Sequence, residues 1–60
     1  ADELGGIVDE VISSNPEEAE RVRNGDQKVV GFLIGQVMRA TRGQADGGRV
    51  RQLILERLGS

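Results

Sequence analysis

The sequence predicts an all-α fold, a small bundle of about four short helices packed around a central hydrophobic helix at residues 27–42. Three observations carry this reading. Apolar residues recur at helical spacing in four separate stretches, and Asn-Pro, Asn-Gly and glycine-rich breaks divide those stretches from one another. No segment of useful length alternates polar with apolar residues as a half-buried strand does, and there is no internal repeat or low-complexity run. A single aromatic residue, Phe32, and a hydrophobic content of 37% suit an aliphatic core between helices better than a sheet, which draws on β-branched and aromatic residues.

In the first stretch Leu4, Ile7, Val8, Val11 and Ile12 fall at i, i+3, i+4, i+7 and i+8, one face of a helix whose other side is acidic. The run Ser14-Asn15-Pro16-Glu17-Glu18 then starts a second helix. Asn15 is the expected cap, Pro16 fits a first turn that does not need its missing N–H, and the two glutamates face the positive end of the dipole. This helix has only Ala19 and Val22 to bury, and it stops at Asn24-Gly25, where glycine can take the left-handed conformation. Asp26 is the expected cap of the third helix, which runs to about Arg42 and closes at Gly43 by the same device. Asp46 is the candidate cap of a fourth helix, with Val50, Leu53, Ile54 and Leu58 on one stripe and Leu55 beside it.

The third helix contains a puzzle. Gly31 and Gly35 lie inside its apolar run, where each glycine costs about 0.5 to 1 kcal/mol relative to alanine. On a wheel of roughly 100° per residue, Val29, Val30, Phe32, Leu33, Ile34, Val37, Met38 and Ala40 spread over most of the circumference. The remaining sector holds Lys28, Gly31, Gly35, Arg39 and Arg42. Two positions without side chains among three cations fit the close approach of a phosphate backbone. They fit equally a site where another helix packs, or a solvated face. Gln36 falls in the apolar sector and is expected to tie down a loop, because buried amides need partners. Met38 reads as a core gap-filler. The segment from Thr41 to Arg49 offers an anion site, with Arg42 and Arg49 near a helix start, or else a flexible connector through Gly43, Gly47 and Gly48.

Composition excludes several kinds of chemistry. Sixty residues make one small domain, and without Cys or His there is no disulfide framework, no thiol chemistry, no credible zinc site and no histidine general base. Catalysis is not expected of residues 1–60. No apolar run reaches the ~18 to 20 residues of a membrane span and no signal peptide is visible, so the expected location is the cytoplasm. A start at Ala1 without methionine suggests a piece of a longer chain. The net charge of −2 hides two unlike halves. Residues 1–26 set eight acids against Arg21 and Arg23, a balance of −6, whereas residues 27–60 set Lys28, Arg39, Arg42, Arg49, Arg51 and Arg57 against Asp46 and Glu56, a balance of +4. Such halves suggest either a basic surface for an anionic partner or no more than complements to helix dipoles.

The series Asn15-Pro16, Gly25, Lys28 and then GFLIGQVMRATRGQAD, residues 31–46, resembles the C-terminal tail domain, also called YqeY-like, of the B subunit of the glutamyl-tRNA(Gln)/aspartyl-tRNA(Asn) amidotransferases. The resemblance covers nearly the whole chain. Two departures stand out: Asp46-Gly47 replaces the asparagine-proline usual after GQA, which predicts a less rigid start to the last helix. Val22 replaces a common aromatic residue, which predicts weaker packing of the second. The resemblance implies a single helical tail domain at the C-terminus of a longer chain. The parent complex of that family converts Glu-tRNA(Gln) or Asp-tRNA(Asn) to the amidated forms, using ATP, Mg and glutamine-derived ammonia, while the tail carries no cofactor. By the same resemblance the tail contacts the outer corner of tRNA by shape and phosphate contacts; helical geometry, and not the resemblance, offers Lys28, Gly31, Gly35, Arg39 and Arg42 for that contact, with Arg49 at the start of the fourth helix. Its implied partners are tRNA and the other domains and subunits of the complex, with neither membrane nor DNA. Two alternatives remain open: a protein docking module of the same complex, or the equivalent domain appended to a glutaminyl-tRNA synthetase.

Overall fold

The computed structural model describes residues 3–59. It holds α1 (Glu3–Ser14), α2 (Pro16–Arg23), α3 (Gln27–Ala40) and α4 (Gly47–Leu58), with no strand among the described residues. Each helix forms where its apolar period lies. In α1, Val8 is fully buried, and Leu4, Ile7, Val11 and Ile12 pack half-buried against the core. Gly5 is buried too, a contribution that the spacing of branched side chains did not reveal.

The junction from α1 to α2 differs from expectation. Asn15 caps α2 only through its backbone carbonyl, which accepts from the Ala19 N–H at 3.0 Å. Its side chain turns back, and Nδ2 donates to the Val11 carbonyl at 2.8 Å. One residue separates the two helices. The last carbonyls of α1 therefore have no following loop to satisfy them, and the Asn15 amide is the nearest donor.

α2 and α3 end on the same hydrogen-bond pattern with different residues in the left-handed position. After α2, the Gly25 N–H donates to the Val22 carbonyl and the Asp26 N–H to the Arg21 carbonyl, both at 2.9 Å, with Gly25 at φ +95°. This is a Schellman closure with glycine where glycine costs least. After α3, the Arg42 N–H donates to the Arg39 carbonyl at 3.2 Å and the Gly43 N–H to the Met38 carbonyl at 2.8 Å. Here the equivalent place belongs to Arg42, at φ +57°, with Gly43 following at +75°. Helix α3 thus stops at Ala40, before Arg42, and the left-handed residue that begins its closure is an arginine.

Both aspartate caps form as expected. Asp26 Oδ1 accepts from the Lys28 N–H at 3.1 Å, and Asp46 Oδ1 from the Gly48 N–H at 2.9 Å. The start of α4 is therefore capped despite the departure at Asp46-Gly47. Likewise Val22, with 2% of its surface exposed, seats α2 on the core without an aromatic ring.

Helix α3 touches all three other helices and meets α4 most extensively. Val30, Leu33 and Val37 of α3 meet Val50, Leu53, Ile54 and Leu58 of α4, together with Val8, Ala19 and Val22. Met38, Val29 and Ile34 pack half-buried around them. At the open end, Arg57 Nε of α4 donates to Asp9 Oδ1 of α1, an exposed pair worth about 0 to 1 kcal/mol at most. Leu33 and Ile54 are the largest fully buried side chains. Leu33→Ala is expected to destabilise the fold by about 2 to 5 kcal/mol, and Asp46→Ala by about 1 kcal/mol through loss of a cap. Thermal or urea melts monitored by circular dichroism check both values and their order.

Candidate nucleic-acid interface

Burial of Val30, Leu33 and Val37 fixes how α3 sits, because these residues span its inward side. The opposite side follows from the helical period. Lys28, Gly31, Gly35 and Arg39 all lie exposed there. A Cβ built on Gly31 or on Gly35 meets nothing within 4 Å, so neither glycine makes room for another helix of this chain. Packing inside the bundle is thereby removed as an explanation of the pair.

Arg42 is exposed but no longer belongs to the helical row. It stands at the α3 terminus in the left-handed region, where a non-glycine residue costs about 1 kcal/mol or more. Thr41 Oγ1 donates to the Met38 carbonyl at 3.2 Å and helps close that end. Arg49 lies apart from the row, on the first turn of α4. It lines a groove with Glu3, Leu4, Ile7, Thr41, Ala45 and Asp46, so two carboxylates share its surroundings. At the start of α4 the Asp46 carboxylate takes the Gly48 N–H, one of the N–H groups that the helix start leaves free for an anion.

A second groove runs on the other side of Ile7, lined by Glu10, Val11, Asn15, Gln36, Arg39 and Ala40. Gln36 is half-buried there. It makes no side-chain hydrogen bond among the described residues, so it does not tie down a loop as expected. Ion pairs within 4 Å among the described residues engage only Arg23, with Glu20 at 3.7 Å, and Arg57, with Asp9. Lys28, Arg39 and Arg42 are left for solvent or a partner. Among the same residues no group of three or more acidic side chains could hold a metal ion, and no helix is long and apolar enough to cross a membrane.

The wheel misplaced one residue. Phe32, counted with the apolar majority, is 46% exposed and is the large hydrophobic side chain left outside the core. It falls about 40° from Lys28 and about 20° from Arg39 around the helix, at the edge of the basic sector next to Arg39. Its angular position beside Arg39, and not its apolar character, decides its exposure.

A family model described as the GatB domain matches residues 1–58. The chain belongs to the GatB domain family. It is 64% identical over 56 residues to the B subunit of the aspartyl/glutamyl-tRNA(Asn/Gln) amidotransferase of Thermobifida fusca, covering 93% of this chain and 11% of that protein. The B subunits of the same name from Moorella thermoacetica and Cutibacterium acnes are 56% and 54% identical over 55 residues, each across 92% of this chain and 12% and 11% of theirs. The chain thus spans about a tenth of the length of the curated relatives it matches. Among solved structures there is no significant match. The resemblance drawn from Asn15-Pro16, Gly25, Lys28 and residues 31–46 is borne out, and the match extends over residues 1–58.

Because Gly31 and Gly35 are helical and open, Gly31→Ala and Gly35→Ala are each expected to raise stability by about 0.5 to 1 kcal/mol. Arg42→Gly is expected to add a similar amount by relieving the left-handed arginine. Chemical denaturation of the three variants checks this. An unchanged or lowered midpoint for all three contradicts the geometry described for the bare face.

Proposed function

We propose that this GatB domain is the tRNA-contacting tail of the B subunit of an aspartyl/glutamyl-tRNA(Asn/Gln) amidotransferase. On this reading the exposed face of α3 holds the RNA while the chemistry proceeds in the rest of the complex. Its support is a helix face with Lys28 and Arg39 free of ion pairs and two glycines with open space above them. Lysine and arginine neutralise phosphates, and the missing side chains let a sugar-phosphate chain lie against the helix backbone. Arg42 extends the cationic surface beyond the helix end. Recognition of this kind reads RNA shape and backbone, in keeping with helical RNA whose deep groove side chains cannot enter. ATP, Mg and glutamine belong to the parent complex on this reading, with no cofactor held by residues 1–60, and the complex works in the cytoplasm.

The test uses the full-length protein in its complex. Replacing Lys28 and Arg39 together by Ala is expected to weaken tRNA binding and to flatten the plot of log affinity against log salt by about 0.7 to 0.9 per lost contact. Melting temperature should be nearly unchanged, because both side chains are exposed. Unaltered binding and slope contradict the proposal. So does a salt-insensitive loss of complex assembly in Gly31→Leu or Gly35→Leu with tRNA affinity kept, the result that a protein docking on the same glycines would give.

A further inference from the structure

The exposed position of Phe32 is not accounted for by phosphate contact alone. In a chain of 60 residues with one aromatic side chain, the ring stays outside while every other large apolar residue described packs at least half-buried. The core does not need it, since Val30, Leu33 and Val37 fill the inward face of α3. Its neighbours on the surface are Gly31 and Gly35, one residue before it and three after, and neither carries a side chain to cover the ring. Lys28 lies one turn before it and Arg39 two turns after, so both ends of the exposed ring are flanked by cations with no ion pair. A ring with 46% of its surface exposed, between two cationic side chains without ion pairs, matches the elements of a stacking platform for single-stranded nucleic acid.

We infer that Phe32 stacks on an unpaired base of a bound RNA loop, while Lys28 and Arg39 hold phosphates on either side of that nucleotide. The inference rests on the tRNA-contacting reading of this face and narrows it. Paired bases hide their faces within the stack, so a ring lying on α3 can stack only on a nucleotide turned out of a loop. A protein helix on the same face would need an apolar partner among cations, a poorer match to its charge.

The experiment measures tRNA affinity of the intact amidotransferase complex carrying Phe32→Ala, Phe32→Leu or Phe32→Tyr. It is repeated with tRNAs bearing single abasic sites placed in turn through the loops. Phe32→Ala and Phe32→Leu should each weaken binding about 5-fold or more, Phe32→Tyr should bind as wild type, and the salt slope should stay the same in all three. One abasic site should weaken wild-type binding by a similar factor while adding little to the loss in Phe32→Ala. Wild-type affinity in Phe32→Leu, or losses that simply multiply at every abasic site, would overturn the stacking role. If Lys28→Ala with Arg39→Ala still weakens binding in that case, stacking fails and the RNA-binding face stands; if those changes also have no effect, the reading beneath it fails as well.

Discussion

Helix α3 has to satisfy two surfaces with one turn geometry. Its inward side must close the core against α4, and its outward side carries two glycines that the packing does not require. The period of 3.6 residues couples these demands, since fixing Val30, Leu33 and Val37 inward also fixes Lys28, Gly31, Gly35 and Arg39 outward. A domain of 60 residues has a stability of roughly 3 to 9 kcal/mol at the usual yield per residue. Against that margin, two helical glycines and a left-handed arginine together cost about 2 to 3 kcal/mol. Packing does not require any of the three. That a fold with so little to spare keeps them is the physical reason for treating this face as a binding surface.

The rest of the fold supports α3 economically. Two Schellman closures end α2 and α3, and two aspartate caps begin α3 and α4, leaving short connections and little loop to order. The contrast between the two closures is informative. Gly25 takes the left-handed place where nothing more is needed, whereas Arg42 takes it at the end of α3. The second closure keeps a charge beside the basic face and accepts backbone strain to do so. The acidic helices α1 and α2 complete the charge pattern. Glu10 borders the groove beside Arg39, and Glu3 and Asp46 border the groove beside Arg49. An anionic ligand is therefore favoured along Lys28 and Gly31 to Arg39 over the α1 side.

Much of this was legible in the sequence because local rules agreed with one another. The four helices, both aspartate caps, Gly25, and the buried stripes of α2 and α4 followed from apolar spacing and capping chemistry. The differences arose where a residue had a choice of partners. Asn15 could serve either flanking helix and chose the carbonyl behind it. Arg42 entered the left-handed position because the ladder closed one residue earlier than the glycine suggested. Gln36 found a groove in place of a loop, and Phe32 remained outside a core already filled by smaller side chains. Of the site, the row on α3 was visible as angular positions. The open space above its glycines and the exposed ring depend on where the other helices stop, which spacing alone does not give.

The proposed contact places nucleic-acid backbone directly on α3 at its two glycines. A structure of the full-length protein in its complex with tRNA bound tests this most directly. The expected result is RNA sugar or phosphate atoms in van der Waals contact with the Cα atoms of Gly31 and Gly35, at about 3.5 to 4 Å, with Lys28 and Arg39 on the flanking phosphates. A protein segment seated on those two glycines, or a well-ordered tRNA that leaves them facing solvent, would contradict it.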